Sequence, residues 1–140
     1  MPHPIPYLSF DGTCAAAMQF YAEALQGELV QLLRAGDSPL AEHFPDTPEA
    51  VVHARVVLPG GGVLMAGDAA CGGAPYVGIK GVTLTLNYDT VAEAERAFHA
   101  LAAGAEVVMP LQPTFWAKIW GMLTDRYGTP WIVNGELLND

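Results

Sequence analysis

Apolar and polar residues follow two rhythms along this chain, and the rhythms recur in the same order. Ile5–Phe10 reads as a strand. Cys14, Ala17, Met18, Tyr21 and Leu25 then line one face of a helix, and Gly27 is expected to stop it. Leu29–Arg34 reads as a second strand. Val51–Leu58 and Val63–Asp68 read as a hairpin closed by Pro59-Gly60-Gly61-Gly62. The second half starts with Val82–Tyr88, where Val82, Leu84, Leu86 and Tyr88 share one face and Thr83, Thr85 and Asn87 the other. Thr90-Val91-Ala92-Glu93 predicts a capping box, with the hydroxyl and the carboxylate both taking helix-start amides. Val91, Ala94, Phe98, Leu101 and Ala102 form the buried stripe of the second helix, which Gly104 ends. Glu106–Leu111, Trp116–Asp125 and Thr129–Asn134 follow as strands, the last two joined at Arg126-Tyr127-Gly128.

Leu8–Gly27 and Leu86–Gly104 are therefore two versions of one strand–helix segment, the second starting past the middle of the 140 residues. The pattern predicts an α+β fold of two βαβββ modules with pseudo-two-fold symmetry and a groove between mixed sheets. We read residues 1–140 as a single domain, with module one at about 1–68, a linker at about 69–80 and module two at about 81–140. Pairing of the modules within one chain or across a dimer stays open. Ala35 to Glu49 carries Gly36, Pro39, Pro45 and Pro48 and reads as a long irregular loop, either a lid over a ligand or a disordered flap.

Each helix must bury its stripe on one face of its sheet, so the opposite face is where ligand-binding side chains are expected. On the third strand Val52, Ala54, Val56 and Leu58 are the apolar set, which turns His53 and Arg55 into the groove. Thr85 and Asn87 take that face on the fifth strand, and the repeat assigns it to Tyr7 on the first. Trp120, Met122 and Thr124 occupy it on the seventh. Tyr7, His53, Arg55, Thr85, Asn87, Trp120 and Asn134 are the candidate substrate-binding residues. Each also has a plain structural role open to it: a satisfied strand histidine, an ion-paired arginine, or a tryptophan anchoring core or interface.

Charged residues make up only 15% of the chain and hydrophobic ones 51%, so part of the surface is expected to be covered, most simply in a homodimer. A net charge of −9, with Lys80 and Lys118 the only lysines, argues against nucleic acid and anionic membranes as partners. Neither a membrane span nor a signal peptide is recognisable, and a cytoplasmic location is expected. Cys14 and Cys71 have no metal-type or redox spacing. Cys14 lies on the apolar face of the first helix and reads as a core residue.

PYLSFDGTCAAAMQFYAEALQGEL, HARVVLPGGGVLMAGD and MPLQPTFWAKIWGMLTDRYGTPWIVN together resemble the vicinal-oxygen-chelate superfamily of glyoxalases, bleomycin- and fosfomycin-resistance proteins and extradiol dioxygenases. They resemble its PhnB-like branch, also labelled demethylubiquinone-methyltransferase-like. The last segment is the most specific, through Trp116, Trp120-Gly121, Asp125, Gly128 and Trp131. The resemblance covers nearly the whole chain and implies a glyoxalase-like fold. It also implies four inward metal-ligand positions, which fall on Ile5, Met65, Thr83 and Ile132. None of these is a ligand for a divalent first-row ion. The methyltransferase label implies a cofactor, but the chain has no glycine-rich strand-to-helix loop with a following acidic ribose anchor. The expectation is a small-molecule-binding protein of the bleomycin-resistance type with a metal-free pocket and no cofactor. A metal-dependent lyase, isomerase or transferase on the same fold is the alternative.

Overall fold

The computed structural model describes residues 2–39, 41–43, 46–69 and 76–138. The chain divides into two compact units, Met1–Gly78 and Ile79–Asp140. The expected linker runs into the first unit, where the Tyr76 hydroxyl donates to the Ser9 carbonyl at 2.8 Å. Its residues 70–75, Cys71 included, lie outside the described residues.

The first unit holds β1 (Tyr7–Phe10), α1 (Cys14–Ala24), β2 (Glu28–Arg34), β3 (Val51–Val57) and β4 (Val63–Asp68). Its sheet has the order β1-β4-β3-β2, with β1 parallel to β4 and the other pairs antiparallel. The second unit holds β5 (Leu84–Tyr88), α2 (Val91–Leu101), β6 (Glu106–Gln112), β7 (Ala117–Thr124) and β8 (Pro130–Leu137), in the order β5-β8-β7-β6. Here β5 is parallel to β8 and the other pairs are antiparallel. Each unit is thus a βαβββ module with a mixed sheet.

One face of each sheet is spent on its helix. In the first unit Leu8, Phe10, Ala54, Val56, Leu64 and Ala66 are buried along with Cys14, Ala17, Met18 and Tyr21 of α1. In the second, Leu123, Trp131 and Val133 are buried along with Ala94, Ala97, Phe98 and Leu101 of α2. Small residues let α2 approach closely. A Cβ on Gly135 would meet the Ala94 Cβ at 2.7 Å, and one on Gly121 would meet the Phe98 ring at 2.7 Å.

Several element ends differ from the sequence expectation. β1 starts at Tyr7 rather than Ile5, and β5 at Leu84 rather than Val82. Pro4 and Pro6 lack the amide a ladder needs, though the Pro6 carbonyl still accepts from the Met65 amide. β8 runs on to Leu137, three residues past the expected Asn134. Gly27 is not the residue that turns α1. Gln26 takes the left-handed conformation (φ 57°), the Gly27 amide donates to the Ala22 carbonyl and the Gln26 amide to that of Glu23, a Schellman motif. Gly27 is needed for a different reason: a Cβ there would lie 2.5 Å from the Val57 carbonyl oxygen.

The loop between β2 and β3 is not wholly irregular. It contains short 3-10 turns at Ala35–Asp37 and Ala41–His43. Its base continues the β2–β3 pairing, the Ala35 amide donating to the Ala50 carbonyl and that of Gly36 to Pro48. Residues 40, 44 and 45 and the His43 side chain lie outside the described residues. Among the described residues, no helix is long and apolar enough to cross a membrane.

Candidate functional site

Alternation along the strands settles what each sheet presents on its helix-free face. In the first unit the burial of Ala54 and Val56 turns His53 and Arg55 to that face. Arg55 pairs with Gln31 on one side and Met65 on the other, and Met65 pairs in turn with Tyr7. The Tyr7 ring stacks on His53 with centroids 6.0 Å apart, and its hydroxyl donates to the Val52 carbonyl at 3.1 Å. Gly67 makes room, since a Cβ there would lie 2.8 Å from the Tyr7 hydroxyl. Partial burial raises the Tyr7 pKa, with the Cys14 thiol adding to the effect. Tyr7 is therefore a neutral, donating phenol at neutral pH. Arg55 and His53 have no ion-pair partner among the described residues. Tyr7, His53 and Arg55 come together as one patch.

In the second unit Thr85 and Asn87 are exposed on β5, opposite Ile132 and Asn134 of β8. Trp120 of β7 lies across from Asn134 on its other side, and Met122 across from Ile132. Asn134 is 6% exposed, and its amide is engaged at both ends. Its Nδ2 donates to Asn87 Oδ1 at 2.9 Å, and its Oδ1 accepts from the Trp116 indole Nε1 at 3.1 Å. Trp116 meets Trp120 edge-on at 5.4 Å, and Phe115, 89% exposed, meets Trp116 edge-on at 4.9 Å. Thr85, Asn87, Trp120 and Asn134 form this module's patch. The sequence expectation starts the seventh strand at Trp116 and names only Trp120 from its face; Trp116 instead stands in the bend ahead of β7, and its bond to Asn134 is a tertiary contact that strand period does not reveal. Trp131 belongs to the helix side: it is fully buried and donates to Asp125 Oδ2 at 2.7 Å.

The donor set does not fit a divalent metal. Ile5 and Thr83 lie ahead of their strands, and the residues facing Met65 and Ile132 are Tyr7 and Thr85. A thioether, an alkyl group, a hydroxyl and a phenol held in its neutral form supply no carboxylate, imidazole or thiolate. His3 is at the exposed N-terminal end, and His99 is on the outer surface of α2. Among the described residues no three His, Cys, Asp or Glu side chains gather where they could hold an ion.

An open cavity of about 470 Å³ sits beside the β2–β3 loop, lined by Gly12, Arg34, residues 46–50 and Asp68. Two of its charged side chains, Arg34 and Asp68, already have work to do. Arg34 donates to the Glu49 carbonyl, and the Asp68 carboxylate accepts the amides of Gly12, Cys14 and Val51. None of the seven candidate residues lines it.

Comparison with known proteins agrees with the fold. Residues 5–133 match the family described as the Glyoxalase/Bleomycin resistance protein/Dioxygenase superfamily. Protein YjdN of Escherichia coli is 36% identical over 140 residues, covering 92% of each chain. The crystal structure of protein PA1353 from Pseudomonas aeruginosa superposes with a TM-score of 0.87 at 46% identity, over 96% of this chain and 97% of that one. A Bacillus cereus structure described as a putative 3-demethylubiquinone-9 3-methyltransferase, PhnB protein, gives a TM-score of 0.77 at 28% identity, over 95% of this chain and 98% of that one. The chain belongs to the glyoxalase/bleomycin resistance protein/dioxygenase superfamily.

Proposed function

We propose that this chain is a small-molecule-binding protein of the glyoxalase/bleomycin-resistance type, in the PhnB-like branch, that holds its ligand without a divalent ion. The observation that carries this reading is the chemistry of the helix-free faces. Tyr7, His53 and Arg55 on one sheet, and Thr85, Asn87, Trp120 and Asn134 on the other, lie on the faces that their modules' helices do not cover. Polar groups grouped beside aromatic walls are what a ligand site requires. The PhnB name of the Bacillus cereus protein supports the branch. Residues 1–140 act as one domain in this reading, and the chain works as a homodimer.

Purified protein should be analysed for metals and screened by thermal shift against small acids and neutral ring compounds, with and without chelator. Stabilising hits unaffected by chelator, and no stoichiometric zinc, nickel, manganese or iron, are expected. One equivalent of metal with stability lost on chelation would replace this reading with a metal-dependent lyase, isomerase or transferase. Arg55→Ala should cost anionic hits about 1.5–3 kcal/mol, the scale of a hydrogen bond to a charged group, and neutral hits far less.

A further inference from the structure

We propose that Trp116 sets the hydrogen-bond polarity of the second module's helix-free face, so that Asn87 turns its Nδ2 donors to that face and favours flat ligands bearing an acceptor oxygen. The proposal rests on the binding reading above and names the ligand chemistry for this face. An indole N–H can donate but never accept. Because Trp116 Nε1 lies 3.1 Å from the Asn134 amide, the atom facing it must be the oxygen. The Asn134 nitrogen then faces the other way, where Asn87 Oδ1 accepts it at 2.9 Å. That uses the Asn87 oxygen and turns its Nδ2 outward. Asn87 is exposed, and its Nδ2 has no partner among the described residues.

Reversing the relay is costly at its buried end. Asn134 is 6% exposed, so a turned amide would set N–H against N–H with almost no water to satisfy either. The orientation is thus decided at Trp116 and delivered at Asn87. The ring wall stands beside it: Trp120 pairs across the ladder with Asn134 and meets Trp116 at 5.4 Å. A planar molecule against Trp120 whose carbonyl or carboxylate oxygen meets Asn87 Nδ2 uses both features. A ring bearing only N–H donors meets Nδ2 with no complement and an Asn87 oxygen already engaged by Asn134.

Three size-matched neutral bicyclic probes test this: 1-indanone (acceptor only), indole (donor only) and indane (neither). Binding is followed by the indole and side-chain amide resonances of nitrogen-15-labelled protein. 1-Indanone should bind about fivefold tighter than indane, the scale of one neutral hydrogen bond, and should shift the Asn87 amide protons, with indole no tighter than indane. Asn87→Asp keeps an oxygen for Asn134 and exchanges the donor for an acceptor, so the order of indole and 1-indanone should invert. Trp116→Phe frees both amides to turn, and the preference should shrink toward one. A purely structural role for these residues would weaken all three probes equally. Equal binding of indole and 1-indanone to the parent protein, or an unchanged order in Asn87→Asp, overturns the proposal while leaving the binding reading intact. If no probe moves any resonance of this face at millimolar concentration, the binding reading fails here. The relay is judged separately by proton exchange: a Trp116 indole proton exchanging as fast as one in open water overturns it.

Discussion

An L-residue in the left-handed conformation carries a steric penalty that glycine avoids, and α1 places Gln26 there (φ 57°). Its hydrogen bonds are those of a Schellman motif, so the position is set by the helix end and not by the side chain. Gln26→Gly is expected to raise stability by about 1 kcal/mol in urea denaturation. Gly27→Ala should lower it, because the new methyl group would collide with the Val57 carbonyl. Cys14 carries a second prediction. Burial pushes its thiol up to about 12, and the Asp68 carboxylate adds to the shift. The folded state then holds a proton that the unfolded state releases at about pH 9, the ordinary thiol value. This contribution is complete below that pH and fades as the pH rises towards 12. In a Cys71→Ser background, Cys14 should resist thiol reagents at pH 8 until the protein unfolds. Cys14→Ala should flatten the loss of stability above pH 9. Rapid labelling of native protein would contradict the burial. At this scale the face each candidate takes was readable wherever more covered neighbours on the strand decide it. Ala54 and Val56 orient His53 and Arg55, and Leu84 and Leu86 orient Thr85 and Asn87. Trp116 was not readable, since its partner Asn134 is set by tertiary contact rather than by period.

The two helices start alike in sequence and are capped differently. Thr90 accepts the Glu93 amide at 3.2 Å, which is half of the expected box. The Glu93 carboxylate takes the Thr90 hydroxyl at 2.9 Å instead of a backbone amide. Thr13 makes no such bond. α1 is capped from β4, where Asp68 Oδ1 accepts the amides of Gly12 and Cys14 and Oδ2 accepts that of Val51. One carboxylate thus ties a helix start, a strand end and the next strand together. Asp68→Ala should cost roughly 2–4 kcal/mol, against about 1 kcal/mol for Thr90→Ala. Asp68→Asn, which keeps an acceptor oxygen, should fall between. Equal losses at both sites would show that the long-range cap adds nothing beyond a local one. Element order and type were legible because apolar spacing switches cleanly between helical and strand periods, as from Leu8–Phe10 to Cys14–Tyr21. Element ends were not. A strand's end depends on whether a partner amide is present, as at Pro6, and a helix's end on a partner brought from a distant element, as at Asp68.

For the whole molecule the question is what the apolar surface is for. Only 15% of the residues are charged, and the net charge is −9. Val107, Val108 and Met109 of β6 are 44%, 52% and 37% exposed, and Phe115 is 89% exposed. β6 is an edge strand of its sheet, and an apolar edge carrying unpaired amides and carbonyls invites another chain. Protein edges meant to stay free usually carry lysine, proline or a bulge; β6 has register shifts between Val107 and Met109 and between Met109 and Gln112, with Pro110 inside the second, but no charged residue after Glu106. A dimer that covers β6 would account for both the exposed row and the shortage of charge, and aromatic residues such as Phe115 are what interface cores collect. Light scattering at micromolar concentration should give twice the mass of the 14.9 kDa chain. Val108→Lys places a charge on an exposed position, so the fold should survive it while the dimer weakens by at least tenfold. A monomer mass for the parent protein would remove the dimer. A Val108→Lys protein that stays dimeric and folded would move the interface away from β6, and Phe115→Ser would then test whether the aromatic turn ahead of β7 carries it instead.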